Sequence, residues 1–160
     1  MALTAERLRE LICYDLGTGV MTWRVSNGGA HAGVVAGSLD HKGRRRVYVD
    51  ARRHFAHRLA WLYVHGTWPD GVIDHIDGNP RNNAISNLRD VSIAINAQNR
   101  HRPQKNNRAG VLGVSQMNGR FMASITLKRT KKFLGMFDTA EEAHAAYVKA
   151  KRSIHIGCAI

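Results

Sequence analysis

Val72-Ile73-Asp74-His75-Ile76-Asp77-Gly78-Asn79 is the stretch on which the fold turns. Apolar residues lead into an adjacent carboxylate and imidazole, and a Gly-Asn turn follows, so the segment reads as a strand ending in a polar corner. Asn82-Asn83, Ile85 and Asn87-Leu88 come next, with a second strand near 88–91. Ser92 is placed to cap a helix running to about residue 101, which carries Asn96. Strand, loop, strand and helix between residues 71 and 101 would gather three polar side chains. His75 has the pKa range of a general base near neutrality. Asp74 brings a carboxylate oxygen and Asn96 an amide oxygen, hard donors that suit Mg²⁺ or Mn²⁺ and suit Zn²⁺ poorly. With phosphate oxygens and water in the remaining positions, this donor set matches single-metal hydrolysis of a phosphodiester. Asn87 is expected to act as a brace, bonding to backbone and holding the loop that aims His75. Asp77-Gly78-Asn79 is expected to be a turn, not a ligand. Any one of these residues alone has an ordinary explanation as a turn cap, a half-buried histidine or a solvated helix position. The spacing carries the functional reading.

The charge of the chain agrees with a polyanionic substrate. Twenty-four Lys and Arg face 12 Asp and Glu, a formal net charge of +12. Residues 101–160 hold 11 basic and 3 acidic side chains, so the stronger electrostatic footprint lies away from Asp74-His75. Nucleic acid is favoured over an anionic membrane because no amphipathic segment pairs a basic face with an aromatic one. No apolar run reaches transmembrane length and no apolar leader is seen, so a soluble protein is expected. Cys13 and Cys158 stand singly near the two ends and read as reduced thiols. At 160 residues and 44% hydrophobic, the chain can form one ordinary domain or two small ones.

Outward from the central stretch, residues 4–13 read as an amphipathic helix with Thr4 as N-cap. Residues 20–25 are β-like, and a Gly-rich run from 27 to 43 suggests loops around a short strand at Val34-Val35. Residues 46–49 and 53–55 flank Asp50-Ala51 as a hairpin, and a helix over 57–65 stops at Gly66. Residues 102–109, polar, basic and interrupted by Pro103, read as an exposed linker. Strands are expected at 111–114, 121–127 and 132–137. Asn118-Gly119 marks a hairpin between the first two, and a helix capped by Asp138 or Thr139 buries Ala143, Ala146 and Tyr147.

Residues 57–100 resemble the HNH endonucleases of phage and intron homing type, which share the ββα-metal fold. The resemblance rests on His57-Arg58, Asp74-His75, Asp77-Gly78-Asn79, Asn82-Asn83, Asn87-Leu88 and Asn96. It implies that His75 is the general base, that Asn87 orients the loop, and that Asp74 and Asn96 hold one divalent cation, Mg or Mn. Asn96 in the third place makes this an H-N-N variant, and no structural zinc is implied. Arg100, on the face of Asn96, is a candidate phosphate contact. Residues 110–155 resemble the plant APETALA-type, ethylene-response-factor DNA-binding domain. The match lies in Gly113-Val114, residues 119–125, and residues 133–143 with Ala146-Tyr147. That resemblance implies a three-stranded sheet laid in the major groove, with Arg120, Lys128, Arg129 and Lys132 as candidate DNA contacts. Phe121 stands where the plant domains usually carry Trp. Residues 1–56 resemble the N-terminal region common in phage HNH proteins, and Arg44-Arg45-Arg46 and Arg52-Arg53 there could touch DNA backbone.

The expected protein is therefore α+β: an N-terminal β-rich region (1–56), a ββα-metal module (57–101), a basic linker (102–109), and a small antiparallel sheet plus helix (110–155). Its expected activity is site-specific, divalent-metal-dependent cleavage of double-stranded DNA, by a monomer in the cytoplasm of a bacterial or phage-infected cell. The rivals are a DNA-binding regulator with a structural or inactive HNH module, and a low-specificity defence or repair nuclease.

Overall fold

The computed structural model describes residues 2–26, 29–98, 103–127 and 130–154. The fold is mixed α+β, built from small antiparallel sheets and short helices. It divides into two compact units, Met1–Ile93 and Ala94–Ile160. Among the described residues, no helix is long and apolar enough to cross a membrane.

In the first unit, α1 (Ala5–Leu11) opens at Thr4, whose side chain accepts from the Arg7 N–H at 3.2 Å. The helix ends earlier than its apolar spacing predicts. Ile12, Cys13 and Tyr14 leave it to form β1 (Ile12–Tyr14), paired with β2 (Met21–Trp23). Tertiary pairing overrides helix propensity there, because Ile12 and Met21 become fully buried. No regular strand forms at Val34-Val35. Val35 makes one isolated bridge to Thr22, and the third strand is β3 (Ser38–Leu39), beside β4 (Arg45–Val49). β4 and β5 (Arg52–Phe55) form a hairpin turned by Asp50 and Ala51, both at positive φ. α2 (Ala56–His65) follows and closes on Gly66 in the left-handed region.

No boundary falls at 56/57. Leu8, Ile12, Met21, Val47, Leu59 and Leu62 are all essentially fully buried in one cluster with Ile73 and Leu88. Burying each such side chain contributes roughly 1.5–3 kcal/mol, so the β-rich region and the segment after it stand on shared apolar contacts. That cluster supports β6 (Val72–His75) and β7 (Leu88–Val91), joined by a loop with a 3-10 turn over Ile85–Asn87.

α3 (Ile93–Gln98) follows β7 and is shorter than expected as far as it is described; residues 99–102 lie outside the described residues. In the second unit, β8 (Val114–Met117), β9 (Arg120–Leu127) and β10 (Thr130–Phe137) form a sheet of order β10-β9-β8, with α4 (Ala140–Ile154) packed against it. Asn118 and Gly119 turn the first hairpin at positive φ. Val114, Ala123 and Ala143 centre a small core. The expected linker is tied down in part. Asn107 Nδ2 donates to the carbonyls of Val111 and Val114, and Ala109 packs on the core, so β8 begins three residues later than predicted.

Candidate active site

β6 and β7 pair in the register Asp74↔Arg89 and His75↔Leu88. This register puts the buried Ile73 and Leu88 on one face of the pair and the buried Asp74 opposite Arg89 on the other, so a one-residue slip would expose the apolar pair and part the ions. The entry to β6 is pinned separately: Asp90 accepts from the N–H groups of Asp70 and Gly71 at 2.8 and 2.9 Å. His75 thus ends β6 at the mouth of the loop, and the Ile76 N–H reaches the Asn87 carbonyl at 2.9 Å.

The loop is held by its own amides. Asn87 is buried; its Oδ1 accepts from the Asp77 N–H at 3.0 Å, while Nδ2 donates to Asp77 Oδ1 and the Asn82 carbonyl, each at 2.9 Å. Burial works against the Asp77 carboxylate, but hydrogen bonds from Asn79, Asn82 and Asn87 hold its pKa below the ordinary value. Asp77 is thus a hub of the loop.

Three neighbours of the Asp74-His75 pair were given no role at the base from sequence, although His57 and Asn83 are among the residues that carry the family resemblance. Asn83, 3% exposed, places Oδ1 3.1 Å from His75 Nε2. His57, in the first turn of α2, meets the His75 ring edge to face, with centroids 5.2 Å apart and planes at 86°. Burial first, then the charges of His75, Arg58 and Arg44, bring the His57 pKa down to about 4, so the ring stays neutral near pH 7. Arg89 grips Asp74 Oδ2 through Nε and Nη2 at 2.9 and 2.8 Å. That pair was accessible to sequence reasoning, because two strands joined in this register put positions 74 and 89 opposite each other. The Asn83 contact had no comparable signal, since it crosses an irregular loop.

The hard oxygen of the buried Asp74 suits a divalent cation, although Arg89 competes for one of its oxygens. Among the described residues no three His, Cys, Asp or Glu side chains cluster. A hard cation here would rely on a carboxylate, an amide oxygen, water and substrate phosphate, the sparse shell Mg²⁺ tolerates. Asn96 is exposed on α3, within the second unit.

Of the expected DNA contacts, Arg100, Lys128 and Arg129 lie outside the described residues. Arg120 opens β9, exposed, and bonds Asp138 at 2.9 Å. Lys132 pairs with Ile125, whose side chain is buried on the α4 side, so it does not share the open face. Lys131 and Phe133, opposite Thr126 and Ser124, take that face instead. In the first unit, Arg44 and Arg46 both bind Asp40 and lie over the Phe55 ring, so these two cations are engaged internally.

Comparison with known proteins locates a family at this hairpin. Residues 54–98 match the HNH endonuclease family model, a span that takes in α2, β6, the loop, β7 and α3. Protein 3.8 of Escherichia phage T7 is 39% identical over 82 residues, covering 51% of this chain and 64% of that protein. The match therefore spans less than two thirds of that relative. No solved structure matches the chain.

Proposed function

We propose that this protein is a divalent-metal-dependent DNA endonuclease of homing type, cutting at a preferred site. What carries the reading is His75 at the end of β6, beside the buried Asp74 and inside the matched HNH segment. In this reading Asp74 and Asn96 would hold one Mg²⁺ or Mn²⁺, which would supply stabilisation of the negative charge that develops at the phosphate. His75 takes a proton from water as the water oxygen attacks phosphorus; the bond to the 3′ oxygen breaks. Asn87 keeps the loop closed behind His75, and neutral His57 confines the ring without adding charge to the reaction centre. Exposed cations of the C-terminal sheet, Arg120 and Lys131 among them, hold duplex DNA through its phosphates, and Lys132, on the other face, takes no part in that contact.

His75→Ala should lose cleavage by roughly 10²–10⁴-fold, the usual worth of a positioned base, while retaining DNA affinity. Native rates in that variant would refute the mechanism. The Arg89–Asp74 ion pair favours a second reading, a DNA-binding regulator whose HNH module is inactive, because Arg89 holds an oxygen the cation would need. Calorimetric titration of Mn²⁺ into the protein with and without DNA separates the two. Binding that is absent in both, together with no cleavage of flanking genomic DNA, would favour the regulator.

A further inference from the structure

We infer that Asn83 is a positioning residue that fixes the tautomer of His75, and that the N-terminal hairpin β1–β2 is the brace that holds Asn83 in place. This rests on the reading of His75 as the base. The Asn83 amide is oriented by its surroundings: Nδ2 donates to the Arg81 carbonyl at 3.3 Å, which leaves Oδ1 facing His75 Nε2 at 3.1 Å. An acceptor at that position requires Nε2 to carry the hydrogen. The nitrogen that takes a proton is then Nδ1.

The proton accounting closes on this tautomer. Water gives one proton to Nδ1, the resulting hydroxide oxygen forms the new bond to phosphorus while the bond to the 3′ oxygen breaks, and the departing 3′ oxygen takes its proton from solvent water. The imidazolium so formed still donates Nε2–H to Asn83 Oδ1, so the same contact stabilises the charge that develops on the ring.

Asn83 itself is held from outside the loop. Tyr14, at the end of β1, donates its hydroxyl to the Asn83 carbonyl at 2.7 Å in a buried contact. Burial pushes the Tyr14 phenol up to about 12, so it remains a donor across the working range. The Ile85 N–H reaches the Leu16 carbonyl at 3.3 Å, a second tie between the β1–β2 turn and the same loop. Gly19 lies against the Asn83 backbone so closely that a Cβ there would overlap Asn83 and Ala84 main-chain atoms. The hairpin thus sets the height of the Asn83 backbone, and Asn83 sets the ring.

The test is nitrogen NMR of the full-length protein labelled at histidine, recorded at alkaline pH, with cleavage assayed on the same samples. His75 in the native protein should show the pattern of an Nε2–H tautomer; an Nδ1–H pattern overturns the inference without any variant being made. Asn83→Leu should shift His75 towards mixed tautomers and lower kcat by roughly 10–100-fold with KM for DNA unchanged. Asn83→Asp keeps the acceptor and should recover the tautomer and most of the rate. A native tautomer in Asn83→Leu would also overturn the inference. Should the native protein cut no DNA, the nuclease reading fails, and the spectra still decide whether Asn83 sets the tautomer.

Discussion

The two units of this chain handle polar groups in opposite ways. In Met1–Ile93, the loop between β6 and β7 satisfies its polar groups within the unit: Asn87, Asp77 and Asn82 bond one another, Asn83 bonds His75 and the Arg81 carbonyl, and Asp74 is closed by Arg89. In Ala94–Ile160, Arg120, Lys131 and Lys132 are exposed around a core centred on three small or branched residues. Buried polar networks hold geometry because each bond is worth more away from water and a broken one strands its partner. Exposed cations give reach and affinity and tolerate imprecision. On the function proposed above, the contrast separates the part that must be placed from the part that must merely attract.

The sharpest test of that division is salt. If about 6–10 phosphates are contacted, DNA affinity should fall by roughly 10³–10⁵ between 50 and 200 mM salt, while kcat at saturating DNA stays nearly constant. Matched losses in both would erase the distinction.

Acid should weaken the first unit through His57. Its folded pKa of about 4 lies below the 6.5 of the unfolded chain, so the unfolded state binds the extra proton between those values. The neutral-ring stability is fully present above pH 6.5 and is lost as pH falls towards 4. The loss is worth about 3 kcal/mol, and the half-buried His54, also lowered, adds in the same direction. Urea midpoints measured across that window should fall less steeply in His57→Phe than in the native protein; parallel curves would remove His57 from the account.

Asn87→Ala removes three hydrogen bonds and strands the Asp77 N–H. The expected cost is about 2 kcal/mol in urea unfolding, with amide exchange across β8–β10 unaffected. By contrast, Arg120→Ala breaks a pair whose side chains are 52% and 82% exposed. Its stability effect should stay under about 1 kcal/mol, and its larger consequence should be weaker DNA binding.

Much of this architecture was legible in sequence because local signals and burial agreed. Asp50-Ala51 and Asn118-Gly119 turn the hairpins they were expected to turn, and Gly66 stops α2. The α+β class followed from those elements. Agreement failed where distant partners decide. Ile12–Tyr14 continues a helical pattern yet pairs as a strand, and Asn107 gathers a polar stretch that composition alone marks as linker. A bulge near Phe133 and Gly135 is likewise invisible to residue counting. At the site, motif spacing located Asp74, His75 and Asn87. It could not reveal that Asn83 and His57 flank the imidazole, since those contacts are made through a loop and across a helix start.

Position 19 shows how far from the chemistry a strict requirement can arise. Its glycine touches no reacting atom and bears no functional group, yet two main chains cross there with room for hydrogen alone. A screen for loss of cleavage should recover substitutions at this turn beside those of His75. The cause would be a displaced peptide, and no surface probe of the catalytic face would detect it.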